Sequence, residues 1–136
     1  NDRQLNKKVL LVVTDGQDNM SRETLQEAMH DLQPSKGVTV YAIGLTDEGF
    51  TPAAREALQR LASTTGGVAF FPQSLDEVDS ITRTVAHDIR SQYTLAYKPP
   101  GSEKGYQTIR VEARSPQGEQ LTVRTRTGYY PGESVR

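Results

Sequence analysis

Along residues 1–91, short apolar runs alternate with longer segments in which apolar residues recur at helical spacing. The segments KKVLLVVT (7–14), VTVYAIGL (38–45) and VAFF (68–71) are nearly continuous apolar runs, typical of parallel strands covered on both faces. Apolar residues at helical spacing predict a helix after each run. The predicted helices run from Ser21 to about Gln33, from the Thr51–Pro52 pair to the glycines at 66 and 67, and from the Ser74–Glu77 capping box to about Arg90. Strands that alternate with helices predict a parallel sheet with right-handed crossovers.

The pattern changes at Gln92, after which no helical period is found. The segments QYTLAYK, YQTIRVEAR and QLTVRTRTGYY alternate polar and apolar residues, as half-exposed strands do. They are separated by PPGSEKG and SPQGE, which are rich in turn-forming residues. We therefore predict an α/β fold: a partial parallel sheet of three strands and three helices over residues 1–91, followed by a small antiparallel β extension over residues 92–136, built as two hairpins or a three-stranded meander.

Composition and charge narrow the classes of partner. The chain has 136 residues, the size of one ordinary domain, and a net charge of −1, which favours neither nucleic acid nor an anionic membrane. Residues 1–91 carry 9 basic and 13 acidic side chains (−4), whereas residues 92–136 carry 7 and 4 (+3). This difference suggests two modules, and a solvated basic sheet face is the simpler interpretation. The absence of cysteine excludes disulfides and thiolate chemistry. No apolar run reaches membrane-spanning length, and a chain that begins with Asn1 is expected to be a piece of a longer protein.

Asp15 is the first candidate for chemistry, because it directly follows the run Val9–Val13. Ligands of open α/β sheets bind beyond the carboxyl ends of the strands, and a carboxylate there can hold a hard cation such as Mg²⁺. The alternative is that Asp15 caps the turn formed with Gly16. The residue types alone leave both interpretations open. A calcium loop starting at Asp15 is excluded, because its sixth and twelfth residues are Met20 and Gln26 rather than glycine and glutamate.

The remaining reactive or aromatic side chains suggest no catalytic arrangement. His30 and His87, the two histidines, lie off the apolar stripes of separate predicted helices, which favours solvated surface positions. No serine has an evident histidine and acid beside it in the pattern. Most tyrosines fall in the extension, where sheet packing and an aromatic binding face are the two interpretations: Tyr93, Tyr97, Tyr106, Tyr129 and Tyr130.

An ordered set of motifs resembles a known family. KKVLLVVTDGQDN, GVTVYAIGL and LASTTGGVAFFPQS, in this order, resemble the second half of a von Willebrand factor type A (VWA) domain. The continuation LDEVDSITRTVAHDIRSQYTLAYKPPG and the ending RTGYYP resemble the carboxyl-terminal part of a bacterial VWFA-related subfamily. The resemblance covers nearly the whole chain. It implies a doubly wound α/β sheet with strand order 3-2-1-4-5-6, of which this chain supplies strands 4, 5 and 6.

The resemblance also implies a metal-ion-dependent adhesion site (MIDAS) at the carboxyl end of the sheet. Its parts are a D-x-S-x-S motif, a threonine from a middle loop, and the aspartate of a T-D-G motif, which matches Asp15. No D-x-S-x-S motif occurs in this sequence. We therefore expect Mg²⁺ or another divalent cation in the intact parent domain, supported by Asp15, and no tight cation binding by this chain alone.

The function implied by the resemblance is a non-enzymatic protein-interaction or adhesion module, exported or displayed at the cell surface. Strand 1 of the family normally pairs with the strand that matches Val9–Val13. Without strand 1, this apolar strand becomes a sheet edge. We expect self-association, or pairing with the missing amino-terminal half, through Val9–Val13, and no membrane span or nucleic-acid partner.

The alternative function is a Mg²⁺-dependent phosphohydrolase of the haloacid-dehalogenase type, with Asp15 as the nucleophile. That chemistry requires a second carboxylate two residues later as the general acid. Position 17 is Gln17, which argues against this alternative. Turnover of a phosphomonoester that is abolished by Asp15→Asn would favour it.

Overall fold

The computed structural model describes residues 8–15, 27, 37–45, 50–98 and 104–131. Within these ranges the chain is an α/β protein, as predicted, with a parallel sheet in the order β1-β2-β3. The sheet consists of β1 (Lys8–Thr14), β2 (Val38–Gly44) and β3 (Ala69–Phe70), and the helices are α1 (Pro52–Thr64) and α2 (Leu75–Arg90). The helix predicted between Ser21 and Gln33 lies outside the described residues, except for Glu27, which is helical. None of the described helices has the length and apolar composition needed to cross a membrane.

The core is centred on β2 rather than on β1. Val40, Tyr41, Ala42 and Ile43 are all at most 3% exposed, so both faces of β2 are covered. The prediction that residues 7–14 form a fully buried strand is wrong for the described residues 8–14, each of which is exposed or half-buried. The physical reason is position: among the described residues α1 packs on β2 and β3, whereas no described helix packs on β1 to a similar extent, and β1 has a neighbouring strand on one side only.

Helix α1 begins and ends with the predicted signals. The backbone N–H of Ala54 donates to Oγ1 of Thr51 (3.1 Å), and Pro52 occupies the first turn. The apolar stripe buries Leu58, Leu61 and Ala62. After the helix, Gly66 adopts a left-handed conformation (φ +87°), which a residue with a side chain adopts only with strain.

A buried threonine and a glycine attach the end of α1 to β2. The hydroxyl of Thr65 accepts a hydrogen bond from the backbone N–H of Val40 (2.8 Å) and donates to the carbonyl of Ala62 (2.8 Å). Gly67 lies so close to β2 that a Cβ there would overlap the carbonyl oxygen of Val40. Thr65 and Gly67 therefore hold the connection between α1 and β3 directly against Val40 of β2.

Helix α2 starts where the Ser-x-x-Glu pattern predicts, but its capping differs. Ser74 has extended backbone angles and makes no side-chain capping bond, so the reciprocal capping box is wrong. The Glu77 carboxylate instead accepts from the backbone N–H of Gln73 (3.2 Å), one residue before the cap. The predicted stripe of Val78, Ile81, Val85 and Ile89 is buried or half-buried.

The extension contains one long hairpin whose strand pairing is interrupted. The outer pair is β4 (Gln107–Thr108) with β7 (Gly128–Tyr129), and the inner pair is β5 (Ala113–Arg114) with β6 (Gln120–Leu121). Between the two pairs, residues 122–127 lie opposite the shorter segment 109–112, so the second arm carries a two-residue bulge.

The bulged arm contacts the ends of both helices. The backbone N–H of Thr127 donates to the carbonyl of Thr64 at the end of α1 (3.2 Å). Arg124 forms an ion pair with Asp88 of α2, whose side chain is only 14% exposed. Gly66 lies close enough to the arm that a Cβ there would be 3.0 Å from the backbone nitrogen of Arg126.

The strand predicted for QYTLAYK is not formed. Residues 92–98 have no regular secondary structure and no ladder partner among the described residues. Tyr93, Leu95 and Tyr97 are 93%, 73% and 57% exposed. The period-two pattern is present in the sequence, but the described residues supply no neighbouring strand to complete it.

Candidate functional site

The carboxyl edge of the parallel sheet carries Asp15. Thr14 is paired in register with Gly44, and the carbonyl of Thr14 accepts a hydrogen bond from the N–H of Leu45 (2.8 Å). Asp15 directly follows β1 and is exposed, beside the point where β2 ends. This is the location where ligands of open parallel sheets bind.

The described residues do not assemble a metal centre around Asp15. No group of three or more histidine, cysteine, aspartate or glutamate side chains within these ranges could hold a metal ion. Asp18, Asn19 and His30 lie outside the described residues. His87 is exposed on the last turn of α2, as predicted, with Nε2 3.4 Å from Oγ of Ser91. The metal role of Asp15 remains a prediction.

An aromatic cluster at the same edge was not predicted from the sequence. The rings of Phe50 and Phe71 meet edge to face, with centroids 5.7 Å apart, and the Arg55 guanidinium lies 4.4 Å from the centroid of Phe71. Gly44 makes room for these rings, because a Cβ there would be 2.7 Å from Cδ1 of Phe71. The signal available in the sequence is that Phe50 immediately precedes the N-cap of α1 and Phe71 immediately follows β3. The carboxyl edge therefore carries the exposed Asp15 at the end of β1 and a half-buried cluster of two aromatic rings and a guanidinium next to β2 and β3.

The β1 edge is the second candidate surface. Leu10, Leu11 and Val13 are 39%, 48% and 52% exposed. The seven residues of β1 carry one charge, at Lys8, so the middle of this strand has no charged residue that would oppose pairing with another strand. Native proteins normally protect such edges with charge, proline or a bulge, and an unprotected apolar edge favours strand addition.

The tyrosines of the extension largely pack against one another. Tyr106 and Tyr130 meet edge to face at 5.2 Å, and Tyr97 meets Tyr129 at 6.1 Å. The hydroxyl of Tyr106 also lies 2.7 Å from Oγ1 of Thr127. Four of the five tyrosines thus contact another ring, but only Tyr129 lies in a described strand, and Tyr93 and Tyr97 are 93% and 57% exposed.

Comparison with known proteins identifies one relationship. The family model of the von Willebrand factor type A domain matches residues 1–84. No curated protein and no solved structure matches the chain significantly. The matched region contains the whole parallel sheet, α1 and the first part of α2, and the hairpin lies beyond it.

Proposed function

The chain belongs to the von Willebrand factor type A domain family, and from this premise we propose that it is part of a non-enzymatic protein-interaction module of the adhesion type. Domains of this family are in general interaction modules without catalytic activity. The observation that carries the proposal is the exposed, apolar edge of β1. In this module, residues 1–91 form the interaction unit and residues 92–136 form an extension, whose bulged arm contacts the helix ends through residues 124–127.

The β1 edge binds by strand addition, and its partner is a protein strand. Parallel pairing with β2 leaves alternate backbone N–H and C=O groups of β1 directed to the opposite side of the strand. An added strand would bond to these groups and cover Leu11 and Val13, which are about half exposed. In solution, a second copy of the chain or the amino-terminal half of the domain can supply that strand.

We expect Leu11→Lys to weaken self-association by about tenfold or more, because it places a charge in the middle of the apolar edge. Sedimentation equilibrium or light scattering over a concentration series measures the change. The matched control is Leu75→Lys, since Leu75 is 77% exposed on the first turn of α2, away from the edge. A wild-type chain that stays monomeric throughout the series, or an equal effect of both substitutions, would contradict the proposal.

Asp15 is proposed as the T-D-G element of a cation-dependent adhesion site. Its exposed position at the carboxyl end of β1 supports this role, and the absence of D-x-S-x-S from the sequence leaves the coordination incomplete. The site would hold Mg²⁺ or another divalent cation only when a D-x-S-x-S motif is supplied by the rest of the domain. The common occurrence of VWA domains outside cells supports an exported or surface-displayed parent protein.

Titration calorimetry of this chain with Mg²⁺ should show only weak binding, with a Kd of about 1 mM or more, at or beyond the weak end of the range known for Ca²⁺ sites of extracellular modules. One carboxylate cannot provide the near-octahedral oxygen shell that Mg²⁺ requires. Asp15→Ala and the surface control Asp76→Ala should therefore give titrations alike. Tight binding that is lost in Asp15→Ala but kept in Asp76→Ala would show that the chain assembles a cation site by itself.

A further inference from the structure

The segment Tyr93–Tyr97 has the side-chain pattern of a strand but no strand beside it among the described residues. Tyr93, Leu95 and Tyr97 occupy alternate positions, so in a strand they would share one face. All three are more than half exposed. Three large apolar side chains in this arrangement indicate a surface that another strand covers.

One end of this segment is already held against the hairpin. The Tyr97 ring packs edge to face on Tyr129 of β7, and the Arg126 guanidinium lies 6.0 Å from the centroid of Tyr129. Tyr93, at the other end, is 93% exposed. Of the three apolar side chains, Tyr97 is therefore in contact with the hairpin, whereas Tyr93 is almost fully open to solvent.

The face that carries the large apolar side chains is symmetric about Leu95. In the order Tyr93-Thr94-Leu95-Ala96-Tyr97, a tyrosine lies two positions away from Leu95 on each side, whereas the flanking Thr94 and Ala96 differ. An antiparallel pair of two copies related by a two-fold axis at Leu95 places Leu95 opposite Leu95 and Tyr93 opposite Tyr97 of the second copy. Each exposed Tyr93 then lies beside the Tyr97–Tyr129 contact of the partner.

The charges on the segment are compatible with this pairing. Lys98 is its single charged residue, and the same register places Lys98 opposite Gln92 rather than opposite another lysine. We propose that this surface is a homodimer interface, in which residues 92–98 of two copies pair as antiparallel strands centred on Leu95. The interface is independent of the β1 edge, and it remains when β1 pairing is blocked by Leu11→Lys.

The register can be tested by disulfide cross-linking, because the chain has no native cysteine. Directly opposed residues of antiparallel strands have Cα atoms about 4.5–5.5 Å apart, within the range that a disulfide spans. In the Leu11→Lys background, Leu95→Cys should form a cross-linked dimer under mild oxidation about tenfold faster than Glu119→Cys, an exposed site near the hairpin turn. Non-reducing electrophoresis over a time course measures both rates.

Two further variants define the register. Tyr93→Cys alone should cross-link no faster than Glu119→Cys, because four residues, about 14 Å along a strand, separate it from the same residue of the partner. A mixture of Tyr93→Cys and Tyr97→Cys should cross-link quickly, and only as the mixed species. Equal rates for Leu95→Cys and Glu119→Cys, or fast self-cross-linking of Tyr93→Cys, would overturn the proposed pairing.

Charge exchange at the two-fold axis provides a test without cysteine. In the Leu11→Lys background, Leu95→Lys and Leu95→Glu should each be monomeric at concentrations where the parent variant is dimeric, because like charges then face each other. Mixing the two variants should restore a dimer containing one copy of each. If the parent variant is monomeric, or if neither charge changes its mass in sedimentation equilibrium, the interface does not exist.

Discussion

Gly67→Ala should lower the free energy of unfolding by about 3 kcal/mol, a large share of the stability of a domain of this size. The added Cβ would overlap the carbonyl oxygen of Val40 and lie 2.7 Å from its carbonyl carbon. Neither atom can rotate away, because both belong to the backbone of Val40, which is fully buried in the central strand. The loop or β2 must therefore move. Urea unfolding monitored by circular dichroism measures the loss.

The matched control is Gly118→Ala. Gly118 has a positive φ of 88° and open space where the Cβ would be, so alanine there should cost only the conformational strain, about 1 kcal/mol. Gly67 has the opposite combination, a steric conflict without a left-handed backbone. A smaller loss in Gly67→Ala than in Gly118→Ala would show that the loop lies farther from β2 than the structure places it.

The helices and the parallel strands could be predicted because each depends on a local period. Thr51 and Pro52 mark the start of α1 through backbone groups that lie within four residues, and the structure reproduces that cap. The burial of β1 could not be predicted in this way. Five consecutive apolar residues show that Val9–Val13 can be buried, but whether they are depends on which strands and helices lie against them.

The candidate site shows the same division between local and distant information. The position of Asp15 after a strand follows from the sequence, and the structure places it there. The cluster of Phe50, Phe71 and Arg55 joins residues from three separate segments, so it could not be predicted from a local sequence pattern. In the segment 92–98, by contrast, the local alternation of polar and apolar residues is clear, but the described residues include no strand that pairs with it.

The turn Thr64-Thr65-Gly66-Gly67 connects three parts of the molecule through four successive residues. The carbonyl of Thr64 accepts a hydrogen bond from the extension, and Gly66 admits the backbone of the bulged arm. Thr65 and Gly67 face β2 instead. The docking of the extension and the packing of the central strand therefore depend on one short turn, and damage to it should loosen both.

Thr65→Val should destabilise the protein by about 2 kcal/mol, although valine has nearly the same shape as threonine. The side chain is buried, and its hydroxyl is the acceptor for the backbone N–H of Val40. Valine would leave that N–H without this partner in the core. Urea unfolding measures the stability, and amide hydrogen exchange at Val40 should accelerate more than exchange at Ala42, which donates to the carbonyl of Val68.

Thr65→Ser distinguishes the contribution of the hydroxyl to stability from that of the methyl group, because serine keeps only the hydroxyl. Serine keeps the acceptor for Val40 and the donor to Ala62, so it should cost less than half of what valine costs and leave the exchange of the Val40 amide close to that of the wild type. If serine proves as harmful as valine, the methyl packing of Thr65 stabilises the turn, and the hydrogen bond to β2 contributes little. We expect the free energy of unfolding to fall in the order wild type, Thr65→Ser, Thr65→Val, because an unsatisfied backbone donor in the core costs more than a lost methyl contact.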